Sequence, residues 1–354
     1  MLLILVGFYT DKEIIHLDNK RILNPNIYLF LFSYFLFVIA ATRVGIGTDY
    51  DLYEGIYYGA KESVLELGWG FEWISIIFRF FKLKYQYFIA FNSLIFIATV
   101  TYFIYKYSSY KYISLITLLG TYSYFSSFNG FRQFTSISLV LLALILFLEK
   151  KKWITGALLF LFSIGIHRSS LMFIPLFFIN YITITRKMFI SIMFVCLFSF
   201  FVIPEFIKNS IFNELMGMND FFQEKYTDSI HAQGEERGIT NKMFFLFYWI
   251  TTFKVIIDKI NTKEKVNLFD KLFLIYFIVN SFFPYSNLVK RISYFFELMA
   301  IYMLPKFISS HKSKIIKNAL KMLVILIFFI RTIYVLNQNG DGVVPYETIL
   351  YMFE

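Results

Sequence analysis

The residues of this chain that could do chemistry stand at the ends of apolar runs. Arg43, Thr48, Asp49, Tyr50 and Tyr53 lie in RVGIGTDYDLY, directly after one such run, and Arg132 and Gln133 open another in NGFRQ. His167, Arg168 and Ser169 interrupt a third in GIHRSS, and Arg291 and Tyr294 begin a fourth in KRISYF. A carboxylate such as Asp49, or an imidazole such as His167, can take a proton from a hydroxyl. Guanidinium groups grip phosphate oxygens as a two-pronged fork. A charge at membrane depth costs roughly 2.5–3.5 kcal/mol on insertion scales, so four such clusters point to a shared polar site.

Each cluster also has a plainer reading. Arg43 either faces an anion or snorkels to the interface, with Gly45 and Gly47 ending a helix and Asp49, Asp51 and Glu54 solvated. Arg132 sits in a first helical turn, against the helix dipole, and therefore needs a partner, either a phosphate or an acidic loop residue. His167 is a proton carrier or a turn residue whose following serines cap a helix. Arg291, Tyr294 and Glu297 are one turn apart, so Arg291 meets an anion or pairs with Glu297. Asp49 and Asp51 form only a weak metal signal, and His16, His167, His231 and His311 are far apart, so neither a metal nor a cofactor is expected. The single cysteine, Cys196, gives no disulfide framework, and no G-x-S-x-G motif is present.

The elements that hold these residues must be membrane helices. Of 354 residues, 58% are hydrophobic and only 16% charged, more apolar surface than a water-soluble domain can hide. The net charge of +10 is scattered through loops and forms no basic face, which excludes nucleic acid as a partner. Apolar runs predict eleven spans: 26–43, 86–105, 112–127, 131–148, 153–166, 169–184, 188–207, 242–258, 271–284, 291–308 and 319–336. Alternate loops carry the lysines (Lys12, Lys20 and Arg21, then Lys106 and Lys111, then Lys150–Lys152), which predicts a cytoplasmic N-terminus and an outer C-terminus. Gly68–Phe81 carries Glu72 and Arg79 and would break this parity as a span, so it is expected to be an outer interfacial helix. The expectation is thus an all-α polytopic protein, one integral domain over 1–354, with outer loops at about 44–85 and 208–241. Arg43, Asp49, Arg132, His167 and Arg291 then share the outer face. Met1–Phe8 is too short to span, and no small-residue cleavage site follows it, so no cleaved signal peptide is expected.

These segments resemble the EpsG-like family of bacterial exopolysaccharide and capsule proteins, grouped with the Wzy-type polysaccharide polymerases. The matching pieces are Arg43–Tyr53, the Glu66–Glu72 stretch, Gly130–Gln133, the loop Lys150–Lys152, His167–Ser170 followed by Pro175, Arg291 with Tyr294, and Val344–Tyr346. The chain departs from the pattern at Met1–Phe8, where the family has a complete span, and at Phe131, where an aliphatic residue is commoner. The resemblance implies a glycosyltransferase that polymerises undecaprenyl-pyrophosphate-linked repeat units at the outer face of the bacterial cytoplasmic membrane, for capsule, exopolysaccharide or O-antigen. Its partners would be the lipid-linked donor and acceptor, membrane lipid, and a flippase and chain-length regulator of the same pathway. Asp49 and His167 would be catalytic. Arg43, Thr48, Tyr50, Tyr53, Glu72, Arg132, Gln133, Arg168, Ser169, Arg291 and Tyr294 would bind substrate, without a metal. The competing readings are a flippase, which should line both faces with polar groups, and an acyltransferase, which should place them on the inner side.

Overall fold

A computed structural model describes residues 25–59, 68–217 and 236–349. Met1–Phe8, Lys12, His16, Lys20, Arg21, His231 and residues 218–235 of the second expected outer loop lie outside them. The described residues are helical, without a strand, and form two compact units, Met1–Phe177 with Ser313–Glu354, and Phe178–Lys312.

The first unit contains α1 (Pro25–Thr42), α2 (Tyr50–Tyr57), α3 (Trp69–Phe80), α4 (Tyr85–Tyr107), α5 (Lys111–Gly120), α6 (Ser123–Asn129), α7 (Phe131–Leu144, prolonged by a π turn at Ile145–Glu149) and α8 (Trp153–Ile166). The second contains α9 (Arg186–Val202), α10 (Glu205–Gly217), α11 (Ile239–Asn261), α12 (Leu268–Phe282), α13 (Asn287–Glu297) and α14 (Ala300–Ser310). The first unit is completed by α15 (Lys314–Gln338). Among the described residues, Tyr85–Tyr107, Phe131–Glu149 and Lys314–Gln338 are long and apolar enough to cross a membrane, and two bent pairs raise the number to five. α1 turns Phe30, Leu31, Tyr34 and Phe35 outward, and α15 does the same with Leu326, Phe329 and Ile330. Such faces belong in lipid, and the protein is a helical membrane protein.

Four expected spans change form. The run 112–127 breaks at Tyr122, whose left-handed φ of 66° separates α5 from α6, so neither piece is a full crossing by itself. The run 169–184 is a 3₁₀ helix, Arg168–Tyr181, and its buried residues Ser170, Phe173, Leu176 and Ile179 recur every third position. Lys271 closes its far end by donating to the carbonyls of Ile179 (3.0 Å) and Ile182 (2.7 Å). The run 188–207 ends at Val202, where Pro204 withholds a backbone donor and the chain turns by 105° into α10. The run 291–308 is α13 and α14, bent by 45° between them.

Lipid supplies little hydrophobic drive between helices, so close backbone approach has to hold them. Glycine supplies it along α8. A Cβ at Gly156 would come within 3.0 Å of the Ala143 carbonyl of α7. A Cβ on Gly68, which precedes α3, would collide with the Gly165 carbonyl, and one on Gly70 would lie 2.9 Å from the Gly165 carbonyl carbon. Backbone atoms at such a contact have no rotamer through which to retreat. Gly68→Ala is therefore expected to destabilise the protein by about 1–3 kcal/mol. A thermal shift in detergent reads this directly, and an unchanged melting temperature would show that α3 is not fastened at Gly165.

Gly68–Phe81 contains α3, which packs on one side and leaves a largely apolar side uncovered. Its Phe71, Ile74 and Ser75 are buried, whereas Trp73, Ile76, Ile77 and Phe80 are exposed. The expected outer loop at 44–85 is thus largely helical, carrying both α2 and α3.

Candidate functional site

One end of the first unit collects most of the sequence-predicted residues. α7 begins at Phe131 and its antiparallel neighbour α8 stops at Ile166, which puts Arg132 and His167 at the same end. α2 lies there too, since the Tyr53 ring meets Phe131 at 4.6 Å and Tyr50 meets Tyr85, the first residue of α4, at 5.4 Å. α3 joins them through Phe71, which packs against both Tyr53 and Phe131. Tyr50, Tyr57, Phe71, Tyr85, Phe88, Phe131 and Ile166 form one apolar cluster under the polar residues.

Arg43 faces inward. It is 1% exposed, and its guanidinium donates to the carbonyl of Ala40 (2.6 Å), to Ser93 Oγ (3.2 Å) and to the carbonyl of Phe128 (3.4 Å), over whose ring it also lies. A buried guanidinium is tolerated because these oxygens and a π face replace its water. Arg43 therefore ties the end of α1 to α4 and α6. Gln86 helps by donating to the carbonyls of Ala41 and Arg43, acceptors that the end of α1 leaves open.

The following loop turns sharply. Gly45 and Gly47 have φ of 64° and 103°, and a Cβ on Gly47 would sit 3.0 Å from the Phe128 carbonyl, so the loop lies on the C-terminal end of α6. Thr48 Oγ1 donates to Asn129 Oδ1 (2.8 Å), and the Asp49 backbone N–H donates to the same oxygen (3.1 Å). Thr48 is exposed and Asp49 half-buried at the start of α2. Tyr50 is buried, and burial pushes its phenol up to about 12, so it stays protonated. Burial, followed by the nearby Asp51, also raises the Glu54 carboxyl above its ordinary value.

Arg132 is 9% exposed, with its guanidinium carbon 5.6 Å from the Tyr53 ring and 5.2 Å from the Phe71 ring. Two aromatic rings thus lie close to the guanidinium and confine where the fork can sit. Gln133 is buried beside it, and Glu72 on α3 is exposed.

His167 ends α8 in extended backbone and is half-buried. Its Nδ1 accepts from the Ser169 N–H (3.3 Å) and lies 2.6 Å from Ser169 Oγ. With Nδ1 accepting, the neutral ring carries its proton on Nε2. Arg168 is exposed, and the buried Ser170 hydroxyl meets Ser136 of α7.

Arg291 and Tyr294 belong to the second unit, on α13, where Arg291 is exposed and Tyr294 half-buried. That unit also holds a buried ionic knot that the sequence reading missed. Glu205 accepts from Arg237 (2.9 Å) and Lys208 (3.1 Å), and Arg237 donates to the Phe283 carbonyl. In the first unit the missed residues are Gln86, Ser126, Asn129 and Asp341. Asn129 was visible at the head of NGFRQ, but Asp341 is separated from it by 212 positions. Among the described residues no group of His, Cys, Asp or Glu is arranged to hold a metal.

A family comparison covers nearly the whole of this architecture. The EpsG family model matches residues 26–348. No curated protein and no solved structure matches the chain.

Proposed function

Because the chain belongs to the EpsG family of exopolysaccharide-associated membrane proteins, we propose that it polymerises undecaprenyl-pyrophosphate-linked oligosaccharide repeat units. The observation that carries this reading is the arrangement at one end of the first unit, where an aromatic-clamped arginine, a half-buried carboxylate and an N–H-presenting histidine share one set of helix termini. Glycosyl transfer from a lipid pyrophosphate needs these groups. The acceptor hydroxyl oxygen bonds to the anomeric carbon, the bond from that carbon to the pyrophosphate oxygen breaks, and undecaprenyl pyrophosphate departs. Arg132 binds the departing anion, assisted by Arg168. Asp49 takes the hydroxyl proton, and His167 Nε2–H orients the acceptor. Thr48, Tyr53, Glu72, Gln133 and Ser169 complete the sugar contacts. Arg43 and Tyr50 act by holding the Asp49 loop. Arg291 and Tyr294, in the second unit, are further substrate-binding residues, and no metal takes part.

The same reading makes the chain one integral domain with eleven crossings, an interfacial α3, an inner N-terminus and an outer site in the bacterial cytoplasmic membrane. In a Cys196→Ser background, Gly238→Cys and Gly340→Cys are expected to react with an impermeant thiol reagent applied outside. Lys152→Cys and Lys314→Cys should react only after the membrane is opened. Labelling of Lys152→Cys from outside would invert the topology.

The function is tested with purified protein and defined undecaprenyl-pyrophosphate repeat units. The expected product is a glycan ladder with release of undecaprenyl pyrophosphate. Release without a ladder would indicate a ligase or hydrolase, and transbilayer movement of intact substrate would indicate a flippase.

A further inference from the structure

We infer that Asn129, braced by Asp341 of the C-terminal tail, is a positioning residue for the Asp49 loop, so that the tail is part of the catalytic apparatus. This rests on the polymerase reading, in which Asp49 is the base. Its geometric basis is independent of that reading.

The side chain of Asn129 spans two segments that are far apart in sequence. Its Oδ1 accepts two hydrogen bonds, from Thr48 Oγ1 at 2.8 Å and from the Asp49 N–H at 3.1 Å. Its Nδ2 points the other way and donates to Asp341 Oδ1 at 3.5 Å, while Asp341 Oδ2 accepts from Ser126 Oγ at 3.0 Å. The two donors on the loop require the amide oxygen on that side, which leaves Nδ2 on the other, and the Asp341 carboxylate receives it there, so that a reversed amide would lose partners on both sides.

The tail is moored by more than this pair. Gly47 N–H donates to the Gly342 carbonyl (3.2 Å), and Val44 N–H donates to the Glu347 carbonyl (3.1 Å). Tyr346 Oη donates to the Ile39 carbonyl of α1 at 2.5 Å. Asn339, in left-handed backbone at the end of α15, accepts from the Val343 and Val344 N–H groups and folds the tail back. The loop carrying Asp49 is therefore held on one flank by α6 and on the other by the tail. A base must approach the attacking hydroxyl to about 2.6–3.2 Å, so a loop displaced by a fraction of an ångström loses turnover before it loses binding.

The test is an amide–carboxylate exchange in the full-length protein, expressed in a strain whose own copy is deleted and scored by surface polymer. Asn129→Asp keeps an acceptor for Thr48 and Asp49 but sets two carboxylates against each other. It is expected to lower polymer yield at least tenfold at unchanged protein level. Adding Asp341→Asn restores a donor–acceptor pair and should return yield to within about threefold of the wild type. Asn129→Ala should be as defective as Asn129→Asp and should gain nothing from Asp341→Asn. With purified protein and defined lipid-linked repeat units, the single variants should lose kcat with KM little changed. A wild-type Asn129→Ala variant, or an exchange that restores nothing, would overturn the inference. A parallel Asp49→Asn variant separates the two claims. If it stays active while the exchange pattern holds, Asn129 positions the loop but Asp49 is not the base.

Discussion

Replacing Arg132 by lysine is expected to lower polymer yield by about 10- to 100-fold. The charge survives this change, but the fork does not. Arg132 is almost fully buried, and the Tyr53 and Phe71 rings lie near its guanidinium and confine it. An ammonium presents a point charge with no preferred plane, so it cannot meet two phosphate oxygens along parallel bonds. A hydrogen bond to a charged group contributes roughly 1.5–3 kcal/mol, which corresponds to the stated fold-change. Arg79→Lys serves as the comparison, because Arg79 is exposed on α3 and should tolerate the change. Equal effects at both positions would remove the reason for singling out Arg132, and an unimpaired Arg132→Lys variant would mean that charge alone suffices there. Phe71 has no sugar contact in this scheme, so a working aromatic clamp makes Phe71→Leu defective even though Arg132 remains, and a neutral Phe71→Leu would show the clamp to be incidental.

Asp49→Asn is expected to abolish turnover while the lipid-linked donor still binds, and His167→Gln is expected to leave measurable activity. The asymmetry follows from proton placement. The Nδ1 of His167 is occupied by Ser169, so the neutral ring offers a donor, and glutamine can offer a donor from a similar position. The Asp49 carboxylate has no such substitute, because an asparagine side chain cannot accept the hydroxyl proton. Single-turnover assays with binding measured separately distinguish the two effects. An active Asp49→Asn variant beside a dead His167→Gln variant would exchange the roles. Two fully active variants would leave arginine stabilisation of the leaving pyrophosphate as the source of catalysis.

The sequence carried much of this because the informative residues contrast with their surroundings. Arg132 and His167 interrupt apolar runs, and a polar residue at such a position marks a helix end, which the structure places there. Orientation within an end is a different matter. Nothing in RVGIGTDY says that Arg43 points into the protein, because the Ala40 carbonyl, Ser93 and the Phe128 carbonyl that receive it come from three helices. The break at Tyr122 is announced only by Gly120, the last residue of α5, and a single glycine inside an apolar run is weak punctuation. Asp341 reads as a solvated tail residue until the fold brings it against Ser126. The ionic knot at Glu205 was hidden for a similar reason, since Arg237 stood in a run of mixed charge that looked like an ordinary loop.

The 3₁₀ helix from Arg168 to Tyr181 changes how crossings should be counted in this chain. It climbs about 2.0 Å per residue, so its 14 residues reach about 28 Å, whereas an α-helix of that length reaches about 21 Å. The hydrocarbon core of a bilayer is about 30 Å thick, so this stretch is nearly long enough to pass through it although an α-helix of the same 14 residues would fall well short. The gain in reach brings a loss of tolerance. With three residues per turn, one inserted or deleted residue swings everything beyond it by about 120°, carrying Phe173, Leu176 and Ile179 off their buried line. Within the segment that follows His167, side chains can therefore be exchanged more readily than residues can be added or removed.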